Sequence, residues 1–163
     1  MQTGQLVLVT TDPATQFVDA IAQNAVANLT LTMPSGTQQA GPGFVDGGLA
    51  AGGSVRSRVK GIVLESVESL DWVVWIWGND TFDAANPANA KLLGFASLPA
   101  AGNKRIAASG LYHYYLGGLD IPYNDFQKLG RIYLGLQPTS AGKSAGALGS
   151  VVVTLIAEPA LGW

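Results

Sequence analysis

The sequence predicts an all-β fold, an antiparallel β-sandwich or jelly roll of about eight strands with at most one short helix. Three observations lead there. Apolar and β-branched runs recur at short spacing. Turns rich in Gly, Pro and Asn separate them, with 21 glycines and 8 prolines in 163 residues. One run, Leu70-Asp71-Trp72-Val73-Val74-Trp75-Ile76-Trp77, holds three of the four tryptophans and is apolar on both sides. In a strand, alternate side chains point to opposite faces. Trp72, Val74 and Ile76 then share one face, and Asp71, Val73, Trp75 and Trp77 share the other. Such a strand is central and covered on both sides, by a second sheet, by loops or by another subunit.

The other elements follow in order. Gln5–Thr10 reads as a first strand, ended by Asp12-Pro13. Phe17, Val18, Ile21, Ala22 and Ala25 sit at helical spacing, with Pro13 suited to a first turn and Thr11 or Asp12 to a cap. This predicts a helix over Gln16–Asn28. The rival reading is an extended arm leading into the alternating Leu29-Thr30-Leu31-Thr32. Pro34–Gly53 carries seven glycines, which offer little to pack, and is expected to be a flexible loop. Val55–Ser66 resumes strand character, with Arg56, Arg58 and Lys60 on one face and Val55, Val59 and Val63 on the other.

Gly78-Asn79-Asp80 ends the aromatic strand, and Phe82–Asn89 is a connection. Ala90–Leu98 is a further strand. Ile106–Tyr115 is weakly patterned and ends in Tyr112-His113-Tyr114-Tyr115. Leu119–Tyr123 is a short extended piece. Arg131–Gln137 alternates with Ile132, Leu134 and Leu136 on one face. Thr139–Gly149 is a second loop. Ser150–Glu158 is apolar on both faces and therefore a second buried strand. The expected organisation is one β-sandwich domain over residues 1–163, with a flexible loop at 34–53 and an apolar tail at 159–163 that ends on Trp163.

Composition bounds the chemistry. Charged residues are 12% of the chain, about half the usual ~25%. An ordinary core with few charges implies a weakly charged surface, part of which meets other protein. There is no cysteine, which excludes disulfides and thiolate chemistry. The net charge of −2 gives no electrostatic footprint for nucleic acid. Met1–Gln5 lacks the basic start of a signal peptide, and no run of ~18 apolar residues suggests a membrane helix. The chain is expected to be made in the cytoplasm.

No motif of high chemical specificity stands out. His113 is the only histidine, so a Ser-His-acid site would have to use it. Ala108-Ser109-Gly110 lacks the G-x-S-x-G form, and the flanking tyrosines favour an aromatic surface over catalysis. Asn79, Asp80 and Asp83 could offer oxygen ligands to calcium, but their spacing is not that of an EF-hand, and Asp and Asn are ordinary turn residues. Glu65 and Glu68 do not form a carboxylate pair on one strand face. The glycines of 41–53 lack the order of a phosphate loop. Arg56, Arg58 and Lys60 form a basic row that reads first as a solvated face, second as a contact for an acidic partner, and last as a nucleic-acid site. Trp75, Trp77 and the tyrosines near His113 could stack on sugar rings, but paired tryptophans in an apolar strand point rather to core or subunit interface.

Taken together, the weakly charged Gly/Ala-rich β composition, the 34–53 loop, the lack of cysteine and the late strands Arg131–Gln137 and Ser150–Glu158 make the chain resemble small structural proteins of tailed-bacteriophage virions, of the capsid cement or decoration type. The resemblance implies a non-enzymatic, cofactor-free protein on the capsid surface. Its partners would be itself, often as a homotrimer, and a major capsid protein, with no nucleic acid and no membrane. Interface residues are expected at Phe44, Trp75, Trp77, Tyr112, His113, Tyr114, Tyr115 and Trp163, with Arg56, Arg58 and Lys60 as a partner-facing basic row. The alternatives are a carbohydrate-binding module or receptor-binding head, and a major capsid subunit.

Overall fold

A computed structural model describes residues 7–10, 22–32, 56–78, 91–124, 131–140 and 151–159. They form ten strands: β1 (Val7–Thr10), β2 (Ala27–Thr32), β3 (Arg56–Ser66), β4 (Trp72–Trp77), β5 (Leu92–Leu98), β6 (Lys104–Arg105), β7 (Tyr112–Leu116), β8 (Ile121–Asn124), β9 (Arg131–Pro138) and β10 (Val151–Pro159). A 3-10 turn at Ala100–Gly102 is the helical element among the described residues. The expected loop at 34–53, the connection at 82–89 and the tail beyond Pro159 lie outside them, with Phe44 and Trp163.

The expected helix over Gln16–Asn28 is corrected where it can be seen. Residues 16–21 lie outside the described part. Ala25 N–H donates to Ala22 C=O across a tight turn, Asn24 takes a φ of 63°, and β2 begins at Ala27. Asn tolerates this left-handed conformation better than most residues. Beyond the turn, the two-residue beat of Leu29 and Leu31 places both against the core, as the rival reading expected.

Two antiparallel sheets form the sandwich. One runs β1-β10-β3-β7-β6, with β8 also on β3; the other runs β2-β9-β4-β5. The pairs nest: β1 with β10, β2 with β9, β3 with β7 and β8, and β4 with β5. The long β3 accepts β7 along 62–66 and β8 along 56–59, end to end on one edge. Two further pairings, β10–β3 and β4–β9, close each sheet. This nesting is jelly-roll connectivity, which places chain-distant strands side by side.

The core lies between the sheets. β4 contributes Trp72, Val74 and Ile76, the face read from the sequence, and β9 contributes Ile132, Leu134 and Leu136. Opposite them stand Val59, Ile62 and Leu64 of β3 and Val151, Val153, Leu155 and Ala157 of β10. Each large side chain buried here stabilises by roughly 1.5–3 kcal/mol.

Val59 and Val63 do not share a face as expected. The β3–β10 register passes from Ile156 opposite Gly61 to Ala157 opposite Val59, leaving Lys60 as an extra residue. This bulge lets Val59 and Ile62 both point inward, while Val63 turns outward and is half-buried. It also keeps Arg58 and Lys60 on the same outer side.

Candidate functional site

On the outer face of the four-stranded sheet, register sets the site. Trp75 stands between Gly135 of β9 and Phe95 of β5, and Trp77 stands between Tyr133 and Leu92. Gly135 leaves room for the indoles: a methyl group there would lie 2.8 Å from Val26 Cγ1 and 3.0 Å from Trp77 Nε1. Trp75 and Trp77 therefore stack, with centroids 5.9 Å apart and planes 19° apart, and Phe95 tilts onto Trp75 at 5.3 Å. The indole N–H of Trp75 donates to Gln137 Oε1 at 3.0 Å, and Gln137 Nε2 donates to Asn24 C=O at 2.9 Å.

Burial then divides the cluster. Trp77 and Tyr133 are each 3% exposed, Trp75 is half-buried, and Phe95 is 59% exposed. As an interface residue Trp77 is corrected, because its surface is spent within the chain. Phe95, missed in the sequence, is the ring left open. Its signal was parity: Ala96 and Leu98 face the core, so Phe95 and Ser97 face away. A sugar-stacking reading rests on Phe95 rather than on the Trp75–Trp77 pair.

The Tyr112–Tyr115 segment is β7, and it also divides by parity. Tyr114 is 1% exposed, packed in the core, so its assignment to an interface is corrected. Tyr115 points outward, 69% exposed, with its ring lying over Gly117. Tyr112 is half-buried beneath the Arg105 guanidinium, 5.8 Å from the ring centroid.

His113 is cross-strand from Glu65, and its Nδ1 lies 3.1 Å from Glu65 Oε1. Its Nε2 lies 3.5 Å from Ser109 Oγ. The order serine, histidine, carboxylate is that of a hydrolytic relay, a grouping the sequence did not reveal. Acyl transfer also needs a free hydroxyl and donors aimed at a developing oxyanion. Here Ser109 Oγ accepts Leu111 N–H at 3.3 Å and donates to Ile106 C=O at 3.4 Å, within an exposed turn. The relay reads as a clamp holding the 106–111 turn against β3.

The basic row is largely neutralised by the chain itself. Arg58 and Lys60 each place a nitrogen 2.6 Å from Asp120, and Lys60 lies 3.5 Å from Glu158. Hydrogen bonds from Lys60 and then Arg58 hold the Asp120 carboxyl below its ordinary range, and the hydrogen bond to Asp120 raises Lys60 above its own. Asp120 lies on the segment between β7 and β8, so the network pins that crossing to β3. Arg56 starts β3, paired with Asn124, and its side chain is outside the described part.

Among the described residues, no three His, Asp or Glu side chains gather as a metal site, and no helix is long and apolar enough to cross a membrane. Asn79, Asp80 and Asp83 lie outside the described residues. No protein-family model matches the chain, and no curated protein matches its sequence.

Proposed function

We propose that this protein is a non-enzymatic virion structural protein of the capsid cement or decoration type. It binds across neighbouring capsid subunits at the capsid surface and stabilises the shell. The observation that carries the reading is the nested jelly-roll sandwich, a scaffold that recurs in viral capsid proteins. That is an argument by fold analogy. The surface adds support: Leu92, Phe95, Ile106 and Tyr115 are large apolar side chains exposed on a chain with few charges.

The test is to mix the purified full chain with isolated tailed-phage capsid shells and co-sediment them. Retention on the shells, with a higher temperature of shell opening, is the expected result. Failure of every shell tested to retain the chain counts against the reading. Ordered shells formed by the chain alone would instead identify a major capsid subunit. The jelly roll also recurs in lectin domains, so sugar binding is the second reading, carried by the open ring of Phe95. It predicts a shift in tryptophan fluorescence on adding polysaccharide.

A further inference from the structure

We infer that β5 is a docking edge for a second copy of this chain, the two β5 strands pairing antiparallel about a two-fold axis at Ala96. The inference rests on the chemistry of the edge and not on the virion reading. Among the described residues, β5 pairs on one side only, with β4. The other side presents a row of N–H and C=O groups, and what satisfies such a row is another extended strand.

Sheet edges are ordinarily guarded by charge, by proline or by a bulge. The opposite sheet ends in β6, two residues long, both of them basic and exposed: Lys104 and Arg105. The β5 edge is different. Its sequence, Leu-Leu-Gly-Phe-Ala-Ser-Leu, has no charge and no proline. One bulge lies at its start, where the register passes from Gly94 opposite Ile76 to Leu92 opposite Trp77. That leaves Gly94–Leu98 regular and, among the described residues, unpaired along its outer edge.

The strand's own pattern selects a second copy over an unrelated strand. About Ala96, Gly94 falls opposite Leu98 of the partner, and Phe95 falls opposite Ser97 of the partner. Each contact then sets a large side chain against a small one on the same face, with no like charges opposed. Phe95, exposed in the single chain, would cover the partner's Ser97 and extend the Trp75–Phe95 ring contact across the axis. The pairing joins two four-stranded sheets into one of eight. Its symmetry is two-fold and isologous, in place of the three-fold assembly that the virion resemblance implies. The contact is short, so the dimer is weak and its population depends on concentration.

The test is sedimentation velocity of the full chain over a wide concentration range, with three variants. Wild type should pass reversibly from monomer to dimer. Ser97→Lys opposes a charge to each Phe95 and should weaken the dimer roughly tenfold or more, as should Phe95→Asp. Ala101→Lys adds the same charge at an exposed site off the strand and should leave the dimer intact. Near-UV circular dichroism must show that each variant is folded. A wild type that is monomeric at every concentration overturns the inference. So does a dimer or trimer that Ser97→Lys and Phe95→Asp leave unchanged. Capsid retention is measured separately, so either proposal can fail without the other.

Discussion

Tyr114 holds both backbone groups of Leu70. The Leu70 N–H donates to the phenol oxygen at 2.9 Å, and the phenol O–H donates to the Leu70 carbonyl at 2.8 Å. Tyr114 belongs to one sheet, and Leu70 lies on the segment that enters β4 of the other. Asn103 Nδ2 adds a third bond to the same oxygen at 3.1 Å and reaches Ser69 Oγ at 2.7 Å. A buried ring therefore fixes where the chain crosses between sheets.

Tyr114→Phe keeps the ring and strands two buried backbone groups. The expected loss is about 1–3 kcal/mol. For a chain of this size, that lowers Tm by roughly 2–4 °C per kcal/mol. Thermal unfolding followed by circular dichroism measures it, and an unchanged Tm would show that the bonds contribute nothing net.

Stability should fall on both flanks of pH through the Asp120 network. A carboxyl held below its ordinary 3.8 contributes stability that is present above that value and lost as pH falls through the lowered folded value. A lysine raised above 10.5 contributes stability that is present below 10.5 and lost as pH rises through the raised value. Asp120→Asn should be less stable than wild type at neutral pH and converge with it in strong acid. Urea midpoints measured across pH decide this. Parallel curves for the two proteins would contradict it.

Gly135→Ala tests the aromatic cluster. The added methyl meets Val26 at 2.8 Å and the Trp77 indole at 3.0 Å, so the stack must shift. Overpacking of this kind costs about 1–3 kcal/mol. Near-UV circular dichroism from Trp75 and Trp77 should change along with the urea midpoint. A wild-type spectrum would mean that the rings can give way freely.

Asp71 ties three segments together. Its Oδ1 accepts the Ala100 N–H at 2.7 Å, its carbonyl accepts the Thr139 N–H at 2.7 Å, and its own N–H donates to Ser140 Oγ at 2.8 Å. Asp71→Ala removes only the first, in effect the cap of the 3-10 turn. A loss of about 0.5–2 kcal/mol is expected. Faster amide exchange at Ala100 with little change at Thr139 is the accompanying signature.

Much of the fold was legible because strand alternation survives in the sequence. The two faces of Leu70–Trp77 and the inward set Ile132, Leu134 and Leu136 stand as read, and β3, β9 and β10 begin and end within a residue or two of expectation. The bulge at Lys60 was missed, although Gly61 beside it in mid-strand was a usable sign. The helix over 16–28 was overstated because apolar residues three and four apart also occur by chance where a turn meets a strand.

The candidate site was less legible. Alternation tells which residues share a face, but not which face a neighbouring strand will cover. Trp77 and Trp75 share a face yet differ in exposure. Tyr114 and Tyr115 are adjacent and end in the core and in water. Asp120 lies 60 residues from Lys60, and no local pattern announces that they meet.

The nested pairing also governs how the molecule is made. The strands closest in sequence that pair across the two halves are β4 and β5. The pairs outside them join ever more distant segments, ending with β1 on β10. Topologies dominated by such distant pairings fold in milliseconds to seconds, rather than the microseconds of local ones. During synthesis β1 emerges long before β10, its hydrogen-bonding partner, and one edge of β3 waits for the same strand. Folding is expected to proceed from the middle of the chain outward, with the nine residues of β10 arriving last to complete the sheet that holds both β1 and β3.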